Sequence, residues 1–417
     1  MRILKLSAQT EARLMRLRQG DDRVALQTAA KIVADVRLRG DAALQMWNRK
    51  FDPAPSRRSD LWITPAETSA AKNRVSREFL HAISHAADNV RRVAQKQLPR
   101  EWKLQVEPGV TVAQIVRPLE SIGCYIPGGR FALVSTLVMT VVPAQVAGIR
   151  RIVAVCPRPN DELLAAADLL GVTQIARIGG AQAIAALAYG TKRIAAVEKI
   201  FGPGNRFVTA AKQIVSATCA IDLPAGPTEA IVLANHGNPR WIAADLLAQA
   251  EHAPDAGSYL VTSSLGFARK VQHEVMKQLD ELLPGNPAQI SIRRTGAILL
   301  ARSWNAALDF VNRFAPEHLS LPSGGHKLLD KIRSVGTAFL GPLSAQPFGD
   351  YATGSNHVLP TGGWARRRGG LGAGDFVKCI SVQTIAPRGY CGLAADVQIL
   401  AGAEGLYAHA NAVEVRR

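Results

Sequence analysis

Three things are scarce in this sequence: cysteine, long apolar runs and acidic side chains. The five cysteines (Cys124, Cys156, Cys219, Cys379, Cys391) are odd in number, scattered over 417 residues and form no CxxC pair. This argues against a disulfide framework or a thiolate metal site and favours a reducing cytoplasm. No apolar stretch approaches the roughly 20 residues needed to span a bilayer. The start, Met1 to Ser7 followed by Glu11, Arg13 and Arg16, has no signal-peptide core. A membrane partner is therefore not expected. Asp and Glu total 33 against 50 Lys and Arg, a net charge of +17. The positive charge is spread along the chain in pairs and triplets: Arg57-Arg58, Arg91-Arg92, Arg150-Arg151, Arg293-Arg294 and Arg366-Arg367-Arg368. It forms no stripe interleaved with aromatics, so it reads as solvated surface with some attraction for anionic cofactors, and nucleic acid is not an expected partner.

What is present fits a globular chain of two or three domains, with 47 % hydrophobic and 20 % charged residues. Residues 1 to about 100 show helical spacing. Helices are expected over 14–36 and 41–47, with a longer one starting at the Thr64-Pro65-Ala66-Glu67 capping box and running towards Gln97. A hairpin is expected at 104–106 and 110–116, around Pro108-Gly109. Strand and helix signals then alternate from 124 to 215, and again from 230 to 341, which predicts an α/β fold of parallel sheets with helical crossovers. Beyond about 343 the chain turns Gly-rich and irregular, then helical over 394–412.

Several constellations could carry chemistry. Gln249 and His252 share a face in the last turn of a helix that Pro254 stops, a spacing compatible with metal binding. Taken alone, such a pair is more often a solvated helix end. Gly-rich turns at 127–129, 179–180 and 201–205 sit where strands hand over to helices, and free N–H groups there suit phosphate. None matches GxGxxG; together they suggest a nucleotide or another anionic ligand. Glu317-His318 pairs a carboxylate with a candidate general base, although taken alone a helix or strand boundary with exposed polar residues is the better explanation. Asp350 and His357 lie in an aperiodic loop of functional composition. Glu404 and His409 are five residues apart, about 140° around a regular helix, and so do not share a face.

Together the blocks DVRLRGDAAL (35–44), GGAQAIA (179–185), FGPGN (201–205), DLPAGPTE (222–229), LAQAEH (247–252), PEHL (316–319), GDYATGSNHVLP (349–360) and HANAV (409–413) resemble the histidinol dehydrogenase family over nearly the whole chain. The resemblance implies two Rossmann-like parallel-sheet domains with helical N- and C-terminal extensions in an intertwined homodimer. The implied division is an N-terminal helical arm (1–24), a domain carrying zinc and catalytic residues (25–102 with 230–345), an NAD-contacting domain (103–229), and a C-terminal segment (346–417) that reaches the partner subunit.

The resemblance also implies a cytoplasmic enzyme of histidine biosynthesis that oxidises L-histidinol through L-histidinal to L-histidine, using NAD and Zn²⁺. The metal ligands would be Gln249, His252, Asp350 and His409, the last supplied across the dimer with its neighbour Glu404. His318 would be the base and Glu317 would activate water. Thr228, Gln249, His252, Glu317, His318, Asp350, Glu404 and His409 would surround substrate, and Tyr125, Gln182 and Asn205 would contact NAD. There are departures: Thr228 stands where the family usually has Ser, Val93-Ala94 where Phe-His is expected, and Arg130-Phe131 and Arg366 to Arg368 are atypical. They leave open a related zinc- and NAD-dependent dehydrogenase for another small polar alcohol. The rivals from other classes are a zinc hydrolase and a basic nucleic-acid-binding protein.

Overall fold

The structure, a computed structural model, describes residues 1–18, 23–51, 60–128, 132–224, 226–324 and 326–417, with nothing said of the His326 and Lys327 side chains. Arg57-Arg58, Gly129, Arg130-Phe131 and Ala225 lie outside the described residues.

The chain opens with a strand, β1 (Arg2–Lys5), where a helical arm was expected. Only four residues long, it carries too little alternation to announce itself. Helices follow at Ala8–Leu17, Arg23–Arg39, Asp41–Phe51, Pro65–Lys72 and Arg77–Gln97. The Thr64 capping box is present: the Glu67 amide donates to Thr64 Oγ1 (3.3 Å) and the Thr64 amide to Glu67 Oε2 (3.0 Å). The helix it starts is short, however. It stops at Lys72, and Ser76 caps a second helix by accepting from the Phe79 amide. Next comes the expected hairpin of β2 (Trp102–Glu107) and β3 (Val110–Pro118), turning at Gly109 with φ +88°.

Two parallel sheets then form in succession. The first contains β4 (Ser121–Tyr125), β5 (Arg151–Val155), β6 (Gln174–Ala176), β7 (Lys199–Phe201) and β8 (Ala220–Ile221), in the order β6-β5-β4-β7-β8. The second contains β9 (Glu229–Leu233), β10 (Gly257–Thr262), β11 (Ala297–Leu300), β12 (His318–Leu321) and β13 (Thr337–Leu340), in the order β1-β11-β10-β9-β12-β13. Numbered from its own first strand, each series reads 3-2-1-4-5, the doubly wound order. The second carries β1 as an added edge. Strands β9 and β10 are buried along their whole length, as expected of parallel strands covered on both faces. The late segment expected to be irregular holds β14 (Val377–Ile385), antiparallel to β3 from Val377↔Pro118 to Ile385↔Val110. The C-terminal helix expected over 394–412 is two helices, Pro387–Ala403 and Tyr407–Glu414, separated at Gly405 (φ +72°).

The helices of 23–97 pack on the first sheet, which corrects the grouping of 25–102 with 230–345. Ala25, Ile32, Val36, Leu44 and Trp47 share a core with Val153, Val155, Ile178 and Leu187, while Ala71, Ala87 and Val90 join Ile122, Met139 and Leu163. A helix's apolar stripe shows that one face is buried, not which sheet covers it. Among the described residues, no helix is long and apolar enough to cross a membrane.

Candidate active site

The two sheets present their polar residues at opposite edges. In the second sheet they gather where the strands begin. Thr228 precedes β9, Glu317 precedes β12 and His318 is its first residue; Gln249 and His252 come from the end of the helix Pro239–Ala250. The Gly257 amide donates to the Thr228 carbonyl (2.8 Å) and the Thr337 amide to the Glu317 carbonyl (2.9 Å), so the neighbouring strands fix both residues. Asp350 is supplied by the short helix Gln346–Tyr351.

A chain of hydrogen bonds connects these side chains. Gln346 Nε2 donates to Gln249 Oε1 (2.6 Å), Gln249 Nε2 to Thr228 Oγ1 (2.8 Å), and Thr228 Oγ1 to Glu317 Oε2 (2.5 Å). The Glu229 amide donates to the same Glu317 oxygen (3.0 Å). Burial pushes the Glu317 carboxyl up to about 8, against the pull of those two donors. His318 lies 3.8 Å from Glu317 Oε2 through Nδ1 and 3.8 Å from Asp350 Oδ1 through Nε2. Among the described residues, neither of its buried ring nitrogens has a hydrogen-bond partner. Burial and the nearby His252 and His357 push its pKa down to about 3, so the imidazole is neutral at pH 7 with a nitrogen free to take a proton.

The donor set fits a metal ion. His252 Nδ1 lies 3.0 Å from the Ala248 carbonyl, which places the proton on Nδ1 and leaves the Nε2 lone pair free. Nε2 is 4.0 Å from Asp350 Oδ2, too long for a hydrogen bond. It is within an ångström of the roughly 3.3 Å separating two ligands of one tetrahedral ion at about 2 Å each. Gln249 adds an amide oxygen. Among the described residues, His, Cys, Asp and Glu side chains do not cluster in threes around an ion position. His252 and Asp350 need the Gln249 amide and a ligand from elsewhere. Glu404 and His409 are not that ligand within this chain: both are exposed, Glu404 closing one C-terminal helix and His409 in the next.

At the first sheet the polar residues gather at the carboxyl edge, around a cavity of about 460 Å³ lined by Tyr125, Arg158, Gly180, Gln182 and Asn205 among others. All three residues expected to contact NAD thus meet in one cavity, at the point where the order of strands reverses. The helix Gly180–Tyr189 has no side-chain N-cap, and the Gly180 amide donates to the Tyr125 hydroxyl (3.1 Å). Gln182 is buried with Oε1 unpartnered, whereas Asn205 Oδ1 caps its own helix by accepting from the Phe207 and Val208 amides. Close packing explains the glycines: a Cβ on Gly179 would lie 2.8 Å from Pro157, and one on Gly202 (φ +111°) would lie 2.1 Å from the Tyr125 carbonyl oxygen. The Gly202 turn is held by a buried pair. Asp222 Oδ2 accepts from the Gly202 amide (2.8 Å), while Lys212 donates to Asp222 Oδ1 and to the Gly202 carbonyl (2.9 Å).

Sequence reasoning missed the supporting residues Gln346, Glu229, Lys212 and Asp222, whose signal is only partnership in space. His357, noted for its loop, lies 2.9 Å from the Asp350 carbonyl through Nδ1 and 3.3 Å from Thr136 Oγ1 through Nε2, tying that loop to the first sheet's helices. Of the departures, Val93 lies against Gly354 of the same loop, 3.0 Å from where a Cβ would be, and Ala94 is buried. Arg368 is structural, donating to the Asp222 carbonyl and to Asp375 Oδ1 (2.9 Å).

A family model described as histidinol dehydrogenase matches residues 15–417. A histidinol dehydrogenase from Methanothermobacter thermautotrophicus is 42 % identical, over 94 % of this chain and 93 % of that one. One from Salmonella typhimurium is 41 % identical, over 94 % and 91 %. The crystal structure of histidinol dehydrogenase from Elizabethkingia anophelis superposes with a TM-score of 0.89 at 38 % identity, covering 94 % of this chain and 91 % of the other.

Proposed function

The chain belongs to the histidinol dehydrogenase family, and we propose that it performs the family's two successive NAD-dependent oxidations, from L-histidinol through L-histidinal to L-histidine. The observation that carries this reading is the convergence of Thr228, Gln249, His252, Glu317, His318 and Asp350 at one sheet edge, with an unpartnered neutral imidazole at its centre.

His318 takes the alcohol proton as a hydride leaves the carbinol carbon for NAD⁺. Its low proton affinity keeps it neutral and ready at working pH. The aldehyde then adds water. Glu317, held on one oxygen by Thr228 and the Glu229 amide, takes one proton of the water as its oxygen attacks the aldehyde carbon. His318, its first proton released to solvent, takes the hydrate's remaining hydroxyl proton as the second hydride leaves for a second NAD⁺, giving the carboxylate. Gln249, His252 and Asp350 would hold Zn²⁺, with His409 of a second protomer as fourth ligand. Bound there, the ion would supply Lewis acidity and an anchor for the substrate's imidazole and amine nitrogens. Tyr125, Gln182 and Asn205 would hold NAD in the first sheet's cavity, and Glu404 would receive the imidazole.

The homodimer with shared sites rests on two supports. Glu404 and His409 are stranded on the surface of their own chain. Exposed apolar side chains also stand on the hairpin and the C-terminal elements: Trp102, Leu104 and Val106 on β2, Ile380 and Val382 on β14, and Ile399, Leu400 and Tyr407 on the C-terminal helices. Five unpaired thiols fit a reducing cytoplasm.

The test is NADH formation from L-histidinol by purified protein, before and after chelation and zinc return. Two NADH per histidinol, lost on chelation and restored by zinc, is the expected result. Turnover of esters or amides without NAD would replace this reading with a hydrolase, and activity only on other polar alcohols would shift the substrate. For the shared site, mixing inactive His318→Ala protomers with inactive His409→Ala protomers should restore part of the activity. No restoration after subunit exchange would refute the sharing.

A further inference from the structure

Arg18 lies far from every motif, at the end of the N-terminal helix Ala8–Leu17, yet its side chain is buried against the amino edge of the second sheet. Its Nη1 donates to the Phe314 carbonyl (2.5 Å), and its guanidinium lies 4.2 Å above the Phe314 ring. Its Nε is 3.7 Å from Glu229 Oε2, and both side chains are almost wholly buried. Among the described residues, no side-chain or backbone group completes a hydrogen bond to either Glu229 carboxylate oxygen or to Nη2 of Arg18 by strict geometry. Arg18 is thus the close cation of a buried carboxyl that burial pushes up to about 7, with Arg18 and the Gly362 and Gly363 amides opposing that rise.

Each of these contacts is one step from the water-activating carboxylate. Phe314 closes the helix Trp304–Phe314. It is followed by Ala315, the one residue other than glycine with positive φ (+53°) among the described residues, and then by Pro316 and Glu317. A left-handed backbone is strained at any residue with a Cβ, so this turn needs something to hold it. Arg18 does so at the residue immediately before. On the other side, Glu229 presents its backbone amide to Glu317 Oε2 (3.0 Å). Arg18 therefore grips both the turn that delivers Glu317 and the strand start that receives it.

We propose that Arg18, through its contacts with Phe314 and Glu229, is a positioning residue that sets the Glu317 carboxylate against the Glu229 amide for the hydration half of the reaction. The inference rests on the reading of Glu317 given above. It assigns Arg18 no contact with substrate, and its effect falls on the step that uses Glu317. The first hydride transfer, which relies on His318, is spared.

The test compares three proteins with the wild type: Arg18→Lys, the neutral double variant Arg18→Gln with Glu229→Gln, and Glu317→Gln as reference. Arg18→Lys keeps the charge but loses the planar fork, and the double variant avoids a lone buried carboxylate. Stopped-flow single turnovers read NADH from histidinol and, separately, from added histidinal; thermal melts report folding. An ångström of misplacement can cost about a hundredfold. Histidinal oxidation is therefore expected to fall roughly 10- to 100-fold in both Arg18 proteins, with the first hydride transfer within a few-fold of wild type and the double variant still melting cooperatively. Equal loss in both steps, tracking the melting temperature, would mean that Arg18 only supports the fold. Unchanged histidinal oxidation in both Arg18 proteins, with Glu317→Gln blocked, would overturn the positioning role alone. Full histidinal oxidation by Glu317→Gln would overturn both the proposal and the reading beneath it.

Discussion

Removing the Thr228 hydroxyl without changing its shape is a sharp perturbation of this site, and Thr228→Val does that. The hydroxyl accepts from Gln249 Nε2 and donates to Glu317 Oε2, and that donation favours the ionised carboxylate. A hydrogen bond to a charged group contributes about 1.5–3 kcal/mol; at 1.36 kcal/mol per pKa unit this is roughly one to two units. Glu317, already raised to about 8 by burial, would then titrate near 9 to 10. In its proposed role as base Glu317 works only when ionised, so histidinal oxidation should rise with pH through this pKa, and the variant's rise should begin later. At pH 7 the ionised fraction falls from about a tenth to between about a hundredth and a thousandth, a 10- to 100-fold loss that high pH reverses. The assay is the rate of NADH formation from histidinal across pH 6 to 10 for wild type, Thr228→Val and Thr228→Ser. Serine keeps the hydroxyl and should follow the wild type. A Thr228→Val profile within threefold of wild type throughout, or a serine variant that falls with the valine one, would refute the reasoning.

His318→Gln removes the proposed base of both hydride steps; both rates should drop about 10²- to 10⁴-fold, with NADH binding by fluorescence unchanged. Loss confined to one step would contradict the assignment. Lys212→Met leaves Asp222 as a buried carboxylate without its cation, at a cost of about 3–5 kcal/mol; a shift in urea-unfolding free energy below about 1 kcal/mol would show that the pair contributes little. Gly202→Ala meets the Tyr125 carbonyl oxygen at 2.1 Å, so it should raise the KM for NAD more than that for histidinol. Equal or absent changes would separate this turn from the cofactor cavity.

Much of the α/β series was legible because buried strands such as Glu229–Leu233 and the helices between them carry distinct apolar periods. Among the strands that escaped are β1 and β14. β1 is a short edge whose partner lies near residue 297, and β14 is solvent-exposed along almost its whole length, so neither has the signature of a half-buried strand. The helices around Ile32 and Val90 were legible as helices, but their choice of sheet was not, since amphipathicity carries no address. Within the site, Gln249 and His252 were visible from spacing alone. Glu317, His318 and Asp350 needed the family resemblance to join them. Nothing in the sequence pairs Arg18 with Glu229, because a buried ion pair between distant segments is recorded only in three dimensions.

The parallel pairing of β1 with β11, Arg2↔Ala297 to Lys5↔Leu300, has a consequence for how the molecule is made. On the ribosome, at about 5 to 20 residues per second, the first strand waits roughly 15 to 60 seconds for its partner to be synthesised. The first sheet, whose strands lie between residues 121 and 221, can close in the meantime. Arg18 travels with the waiting segment, so the cradle beneath Glu317 is among the last parts of the chain to assemble. A nascent chain halted before residue 297 should leave its first residues open to protease even with the earlier sheet protected.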